Sequence, residues 1–171
     1  MKLISKMLVE NWHYFDHEII EFGTINFLTG ENSSGKSTLI DAMQVVLMGE
    51  TRGDSFNKAA NTKSSRSLKS YLLGELGDDL NGKDKFLRGG QQFTTQVVCE
   101  FKESENFRNR FCLGAIFDVS QSGDVRNIFF VLKDRFEEKD YVYNDVPRNI
   151  EELKKYFASK YGEMRKDKIT F

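Results

Sequence analysis

The stretch "GENSSGKST", Gly30 to Thr38, holds the residues of this chain whose types and spacing can do chemistry. A glycine, four residues and then Gly-Lys-Ser is the spacing of a phosphate-binding P-loop. A triphosphate presents several negative charges on closely spaced oxygens. The protein must bring many N–H donors to them without side chains in the way. Gly30 permits a sharp exit from a preceding strand, and Gly35 permits close approach of backbone to phosphate. Backbone N–H groups from Asn32 through Ser33 and Ser34 to Thr38 are expected to form an anion nest. A helix starting near Gly35 adds the partial positive charge of its N-terminus. Lys36 supplies a full charge for the β- and γ-phosphates, Ser37 a hydroxyl ligand for Mg2+, and Thr38 a donor to the α-phosphate. From average residue frequencies, the four fixed positions meet by accident in roughly one chain of this length in two hundred, so a chance glycine turn is the weaker reading.

Other chemistries find little support. His13 and His17 stand four apart, but in a strand–loop–strand context with no third ligand nearby, which argues against a metal site. Two histidines in one short loop make no Ser-His-Asp or Cys-His arrangement. The cysteines are Cys99 and Cys112 alone. Their spacing fits neither a zinc site nor a disulfide framework. Both lie in apolar runs, and buried free thiols in a reducing cytoplasm are expected.

The elements that must position the P-loop can be read from hydrophobic period. "KLISKMLVENW" and "HEIIEF" read as two strands joined by an aromatic loop, Trp12 to Phe15. "TINFLTG" reads as a third strand running into the motif. Leu39, Ile40, Met43, Val46 and Leu47 recur at helical spacing with Ala42 and Val45 between them. That predicts a helix apolar on most sides, hence buried, ending at Gly49. From Thr51 to Ser70 the composition turns to Ser, Asn and Lys/Arg, with five basic residues against one acidic. "LKSYLLGEL" reads as a short helix, and the polar, glycine-containing run from Asp78 to Gln92 as a loop. Three strand-like runs follow, "TTQVVCEF", "NRFCLGAIFDV" and "VRNIFFVLKD", with "SQSGDV" as a hairpin turn. "NIEELKKYFASKYGEM" reads as an amphipathic helix with Ile150, Leu153, Tyr156, Phe157 and Tyr161 on one side.

The chain has 171 residues and a net charge of −1. That fits a single domain with a sizeable core and no global pull toward nucleic acid. No apolar run is long enough to span a membrane, and the N-terminus lacks a signal-peptide hydrophobic stretch. The expected organisation is one domain over 1–171: P-loop strand and helix at 24–49, a Ser/Lys-rich loop at 51–70, strands of an antiparallel β-subdomain at 93–134, and a terminal helix at 149–164. The closing "DKITF" reads as the start of another element, so the chain is expected to be a fragment.

"INFLTGENSSGKSTLIDAMQVVLMG" resembles the N-terminal head segment of the SMC-like ABC ATPases, chromosome-organising and DNA-repair proteins with long coiled-coil arms. Asn32 and the run Leu39, Ile40, Asp41, Ala42 match that pattern, and Ser33 replaces its usual third glycine. "FNKAANTKSSRSLKSYLLGELGD" resembles the following segment of MukB-like condensins and of the JetC ATPase of the Wadjet plasmid-defence system. The resemblance covers about residues 1–100. It implies an α/β P-loop NTPase fold of ABC type, split so that this chain is the N-terminal half of a head. It further implies ATP and Mg2+ as cofactors and a cytoplasmic, nucleoid-associated location. The implied partners are the C-terminal half of the same head, a second head that completes each ATP site, DNA through the full complex, and accessory condensin-like subunits. It also places residues from Asn57 to Arg66 beside the nucleotide, with Lys58, Lys63 and Arg66 as candidates for phosphate or DNA contact; a solvated loop charge is the alternative for each. Trp12, Tyr14 and Phe15 either approach the nucleotide or pack against the sheet.

The family's Q-loop glutamine, signature motif and Walker B Asp-Glu pair find no match here. Asp118 follows an apolar run, but Val119 stands where the glutamate base belongs, so a strand ending at a turn is the better reading. The full-length protein is expected to hydrolyse ATP and this chain alone to be inactive. One rival is a compact P-loop kinase or other small complete NTPase, which needs a lid of gathered arginines, whereas Arg108, Arg110, Arg126 and Arg135 are scattered. Another is a non-enzymatic module keeping the loop as scaffold, against which the intact Lys36 and Ser37 speak.

Overall fold

Lys2–Trp12 (β1) and Phe15–Glu21 (β2) form an antiparallel hairpin turned by His13 and Tyr14. The structure, a computed structural model, describes residues 1–49, 51–52, 56, 67–78, 84–103 and 109–171. Helix α1 (Lys36–Met48) follows the P-loop motif, and α2 (Leu68–Leu73) precedes a small hairpin of β3 (Glu75–Asp78) and β4 (Asp84–Phe86). Three long strands come next: β5 (Phe93–Glu103), β6 (Arg110–Val119) and β7 (Val125–Leu132). Then follow α3 (Glu138–Tyr141), a hairpin of β8 (Val142–Tyr143) and β9 (Val146–Pro147), α4 (Ile150–Tyr161), α5 (Arg165–Lys168) and β10 (Ile169–Thr170). One six-stranded sheet, ordered β10-β7-β6-β5-β1-β2 with every pair antiparallel, organises the molecule.

The sheet is covered on both faces, and the alternation of its strands sorts side chains between two cores. Met7, Val9, Val97, Cys99, Ala115 and Phe117 face α1 and α2, meeting Leu39, Ala42, Val45, Val46 and Leu72. Leu8, Val98, Cys112, Ile116, Phe130 and Leu132 face α4, meeting Ile150, Leu153, Phe157 and Tyr161. Double coverage explains why β1, β5 and β6 read as nearly continuous apolar runs. Helix α4 opens on a capping box: the Glu152 N–H donates to Asn149 Oδ1 at 2.9 Å, and the Asn149 N–H donates to Glu152 Oε2 at 3.0 Å. The mixed α/β class, the antiparallel strands of 93–134 and the terminal helix are as the sequence predicts.

Three expectations are corrected. The segment 24–29 is not a strand of any sheet among the described residues; it bends at 24–25 and continues without regular structure, with Ile25 76%, Phe27 87% and Leu28 48% exposed. Its alternation is that of a strand, but the antiparallel sheet ends at β2 and offers it no ladder. Helix α1 is not buried on most sides: only the face of Leu39, Ala42, Val45 and Val46 meets the sheet, while Ile40, Leu47 and Met48 point outward. Within the expected loop of 78–92, β4 pairs with β3; its side chains are too polar to show a period. Most of the Ser/Lys-rich loop of 51–70 lies outside the described residues. No described helix is long and apolar enough to cross a membrane.

Candidate functional site

The motif forms the turn into α1. Gly30, Glu31, Asn32, Ser33 and Ser34 are exposed, Gly35 is buried, and Lys36, Ser37 and Thr38 are half-buried on the first helical turn. The Ser34 N–H donates to the Glu31 carbonyl at 3.3 Å, which closes the loop. Ser33 takes φ 65°, the left-handed region that favours glycine. This is the physical content of its departure from the usual glycine. Gly35 caps α1 at φ 95°, and a Cβ there would lie 2.1 Å from Tyr14 Oη and 2.9 Å from Phe15 Cζ. Only glycine lets the aromatic β1–β2 loop close against the motif.

Lys36 turns back into the loop. Its ammonium donates to the carbonyls of Gly30 at 2.7 Å and Glu31 at 2.6 Å, with Ser34 Oγ at 3.4 Å. No side chain caps α1 and its first turn carries no acidic residue. The N–H groups there keep their capacity for an anion, and the helix dipole favours one. One lysine, a hydroxyl at Ser37 and an uncapped helix N-terminus form the donor set that a magnesium-bound triphosphate needs.

The aromatic loop is held from behind. Arg88, 7% exposed, donates to the His13 carbonyl at 2.5 Å and to Asp16 Oδ1 at 3.0 Å. Burial pulls its guanidinium below the usual arginine range. The Trp12 indole N–H donates to the Thr38 carbonyl at 2.9 Å, so β1 is tied directly to the P-loop helix. Of the three aromatics, Trp12 is core, while Phe15 and the 40% exposed Tyr14 lie against Gly35. Sequence reasoning missed Arg88 and Tyr71, which stacks on Trp12; neither lies in a recognisable motif, and both act through groups distant in the chain.

Asp118 is a structural residue. Its Oδ1 accepts from Thr94 Oγ1 at 2.9 Å, and its Oδ2 from the Ile150 N–H at 3.2 Å, at the start of α4. Cys99 and Cys112 are buried free thiols; burial pushes Cys99 up to about 12 and Cys112 further. The His17 nitrogens face Glu10 and Glu138, and among the described residues no group of three or more His, Cys, Asp or Glu gathers as metal ligands would. Lys58, Lys63, Arg66 and Arg108 lie outside the described residues.

A family model described as the P-loop containing region of AAA domain matches residues 4–63, about a third of the chain. The match spans β1, β2, the motif and α1, so the N-terminal region is P-loop NTPase-like, which points to nucleotide binding. A search of curated proteins finds no match.

Proposed function

We propose that the chain binds ATP with Mg2+ through Gly30–Thr38, as the N-terminal half of the head of an SMC-like ATPase of the JetC or MukB kind. The carrying observation is the uncovered side of the P-loop unit. Ile25 and Phe27, two residues apart on a segment that pairs with no strand, are 76% and 87% exposed, and the outer face of α1 presents Ile40, Leu47 and Met48 to solvent. Large apolar side chains exposed together on one unit mark a candidate interaction site. Both features sit on the strand-like segment and helix that flank the loop, which is where the other half of a split head would pack.

In this reading Lys36 leaves the carbonyls of Gly30 and Glu31 for the β- and γ-phosphates. The N–H groups of Asn32 to Thr38 would hold the remaining oxygens, and Ser37 would hold the Mg2+, whose contribution would be charge neutralisation at the phosphates. Catalytic groups come from outside this chain: the C-terminal half of the head and a second head. DNA and accessory subunits are partners of that larger assembly in the cytoplasm. The compact-kinase alternative needs arginines free to close over phosphate. Arg110, Arg126 and Arg135 instead pair with Glu100, Glu151 and Glu137.

Calorimetric titration of ATP tests the reading, with Mg2+ and with EDTA, against wild type and Ser37→Ala. Binding by wild type that strengthens with Mg2+, and a Ser37→Ala defect present only with Mg2+, are expected. A defect of equal size in EDTA removes Ser37 as the metal ligand, and absence of wild-type binding removes the ATP reading.

A further inference from the structure

Trp12 is the one tryptophan of the chain and is fully buried at the end of β1. Its indole does two things at once. The N–H donates to the carbonyl of Thr38, the last residue of the P-loop motif, at 2.9 Å. Its ring stacks on Tyr71 of α2, with centroids 4.9 Å apart and planes 9° from parallel. The Tyr71 hydroxyl in turn donates to Asp41 Oδ2 at 2.5 Å. Asp41 is fully buried and lies three residues beyond Thr38 on α1, so the two share a helix face. The contacts close a ring: helix to indole, indole to phenol, phenol back to helix.

The chemistry of this ring differs from the rest of the α1 contact. Further along the helix, Ala42, Val45 and Val46 pack on the sheet through aliphatic surface alone. Such surface tolerates small slides and rotations, whereas hydrogen bonds are directional. Burying a carboxylate and a phenol is costly unless each is bonded, and here that polar material is confined to the turn bearing the motif and the one after it. Two further links run outward. The His13 N–H donates to the Tyr71 carbonyl at 2.8 Å, which joins the ring to the aromatic loop against Gly35. Phe56, 3% exposed, sets its edge on both rings, at 6.2 Å from Trp12 and 5.1 Å from Tyr71. Phe56 belongs to the Ser/Lys-rich stretch.

We infer that Trp12 and Tyr71 are positioning residues for phosphate binding: they fix the rotation and height of the first turn of α1 and couple its state to α2 and to Phe56. The inference rests on the ATP reading above. Because Thr38 is both the end of the phosphate cradle and the acceptor of the indole N–H, a change in that turn on binding must be felt at Trp12.

The probe is MgATP added to the whole chain, with affinity read by calorimetry and Trp12 emission recorded in parallel. Emission is expected to change and to saturate at the concentrations that saturate the heat, and to stay flat in Lys36→Ala. Tyr71→Phe keeps the stack but loses the bond to Asp41; Trp12→Phe keeps a ring but loses the bond to Thr38. Each is expected to weaken MgATP by about two- to tenfold, the range of one net hydrogen bond, measured well below its own melting temperature with its circular dichroism unchanged. A merely structural role lowers the melting temperature and leaves affinity alone. Wild-type binding by calorimetry with silent Trp12 emission overturns this inference and spares the ATP reading. Unchanged affinity in a folded Tyr71→Phe does the same, and absence of any binding heat in wild type overturns both.

Discussion

The ammonium of Lys36 donates to the carbonyl oxygen of Gly30 at 2.7 Å, across the loop that the two residues bracket. With the second bond to Glu31 at 2.6 Å, the lysine holds the loop from inside. A carbonyl offers a partial charge, whereas a triphosphate offers full ones, so the same ammonium gains by exchanging partners. Lys36 therefore has two separable roles, one in the shape of the loop and one in binding.

Lys36→Ala should weaken MgATP by about a hundredfold, the scale of a lost charge-assisted contact. The fold should survive, because these bonds lie at the exposed surface and the packed face of α1 is elsewhere. Calorimetry and a melting curve together check it. Full affinity in a folded variant would show that the loop does not hold phosphate.

Ser33 supplies a second test, on the backbone. A non-glycine residue in the left-handed region costs about 1–2 kcal/mol, while glycine there gives back about 0.5–1 kcal/mol through its freer unfolded state. Ser33, at φ 65° and exposed, should thus gain up to about 1 kcal/mol on change to glycine. Ser33→Val, β-branched, should lose stability. Denaturant midpoints measure both, and a glycine variant less stable than wild type would mean that the serine side chain holds the turn.

What sequence reasoning reaches here, and where it stops, follows from what a pattern records. Gly30, Gly35, Lys36 and Ser37 are legible because a P-loop is built from contiguous residues, so spacing alone carries its geometry. The sheet is legible because Val97, Val98, Cys99 and Ala115, Ile116, Phe117 are buried on both faces and read as apolar runs. Phe27 and Ile40 mislead because an apolar residue at strand or helix spacing reads as buried even where the described residues leave it exposed. The Trp12–Tyr71–Asp41 ring leaves no periodic trace, since it joins β1, α2 and α1 by single side chains. The β3–β4 hairpin sits in a polar run with no alternation to record its pairing.

The pH response of stability should run through His17. Its Nδ1 meets the Glu10 carboxylate and its Nε2 lies 3.2 Å from Glu138 Oε1. The bond to Glu10 raises the imidazole above its ordinary value, against a smaller opposing effect of burial. Burial likewise raises the Glu10 carboxyl, although His17 pulls it down. Both groups hold a proton more tightly folded than unfolded, so both make stability fall as pH rises. The His17 contribution is complete below about pH 6.5, the unfolded value, and is lost as pH climbs through the raised folded value. The melting-temperature gap between wild type and His17→Gln should be wide at pH 6 and narrow at pH 8.5. A gap constant across that range would mean that packing, not charge, is what His17 provides.

Ile25 and Phe27 carry the prediction on which the half-head reading depends most. Hydrolysis of ATP needs charge neutralisation, an oriented water and stabilisation of the departing phosphate. Lys36, Ser37 and the loop amides serve the first. Asp118, which follows an apolar strand in the manner of a Walker B, is occupied by Thr94 and the start of α4. The chain alone should therefore bind MgATP without turning it over above background. A steady rate of about one per second, ordinary for a kinase, and lost in Lys36→Ala, would favour a small complete enzyme. The exposed segment adds a second measurement. As an exposed segment that packs on no sheet it should tolerate Ile25→Ser with Phe27→Ser in the isolated chain, with stability changed by no more than about 0.5 kcal/mol per site, as for other surface positions. The same pair should lower concentration-dependent self-association in sedimentation velocity, because exposed large apolar side chains drive it. A large loss of stability in the double variant would place these side chains in this chain's own core, and the surface left for a second half of the head would disappear with it.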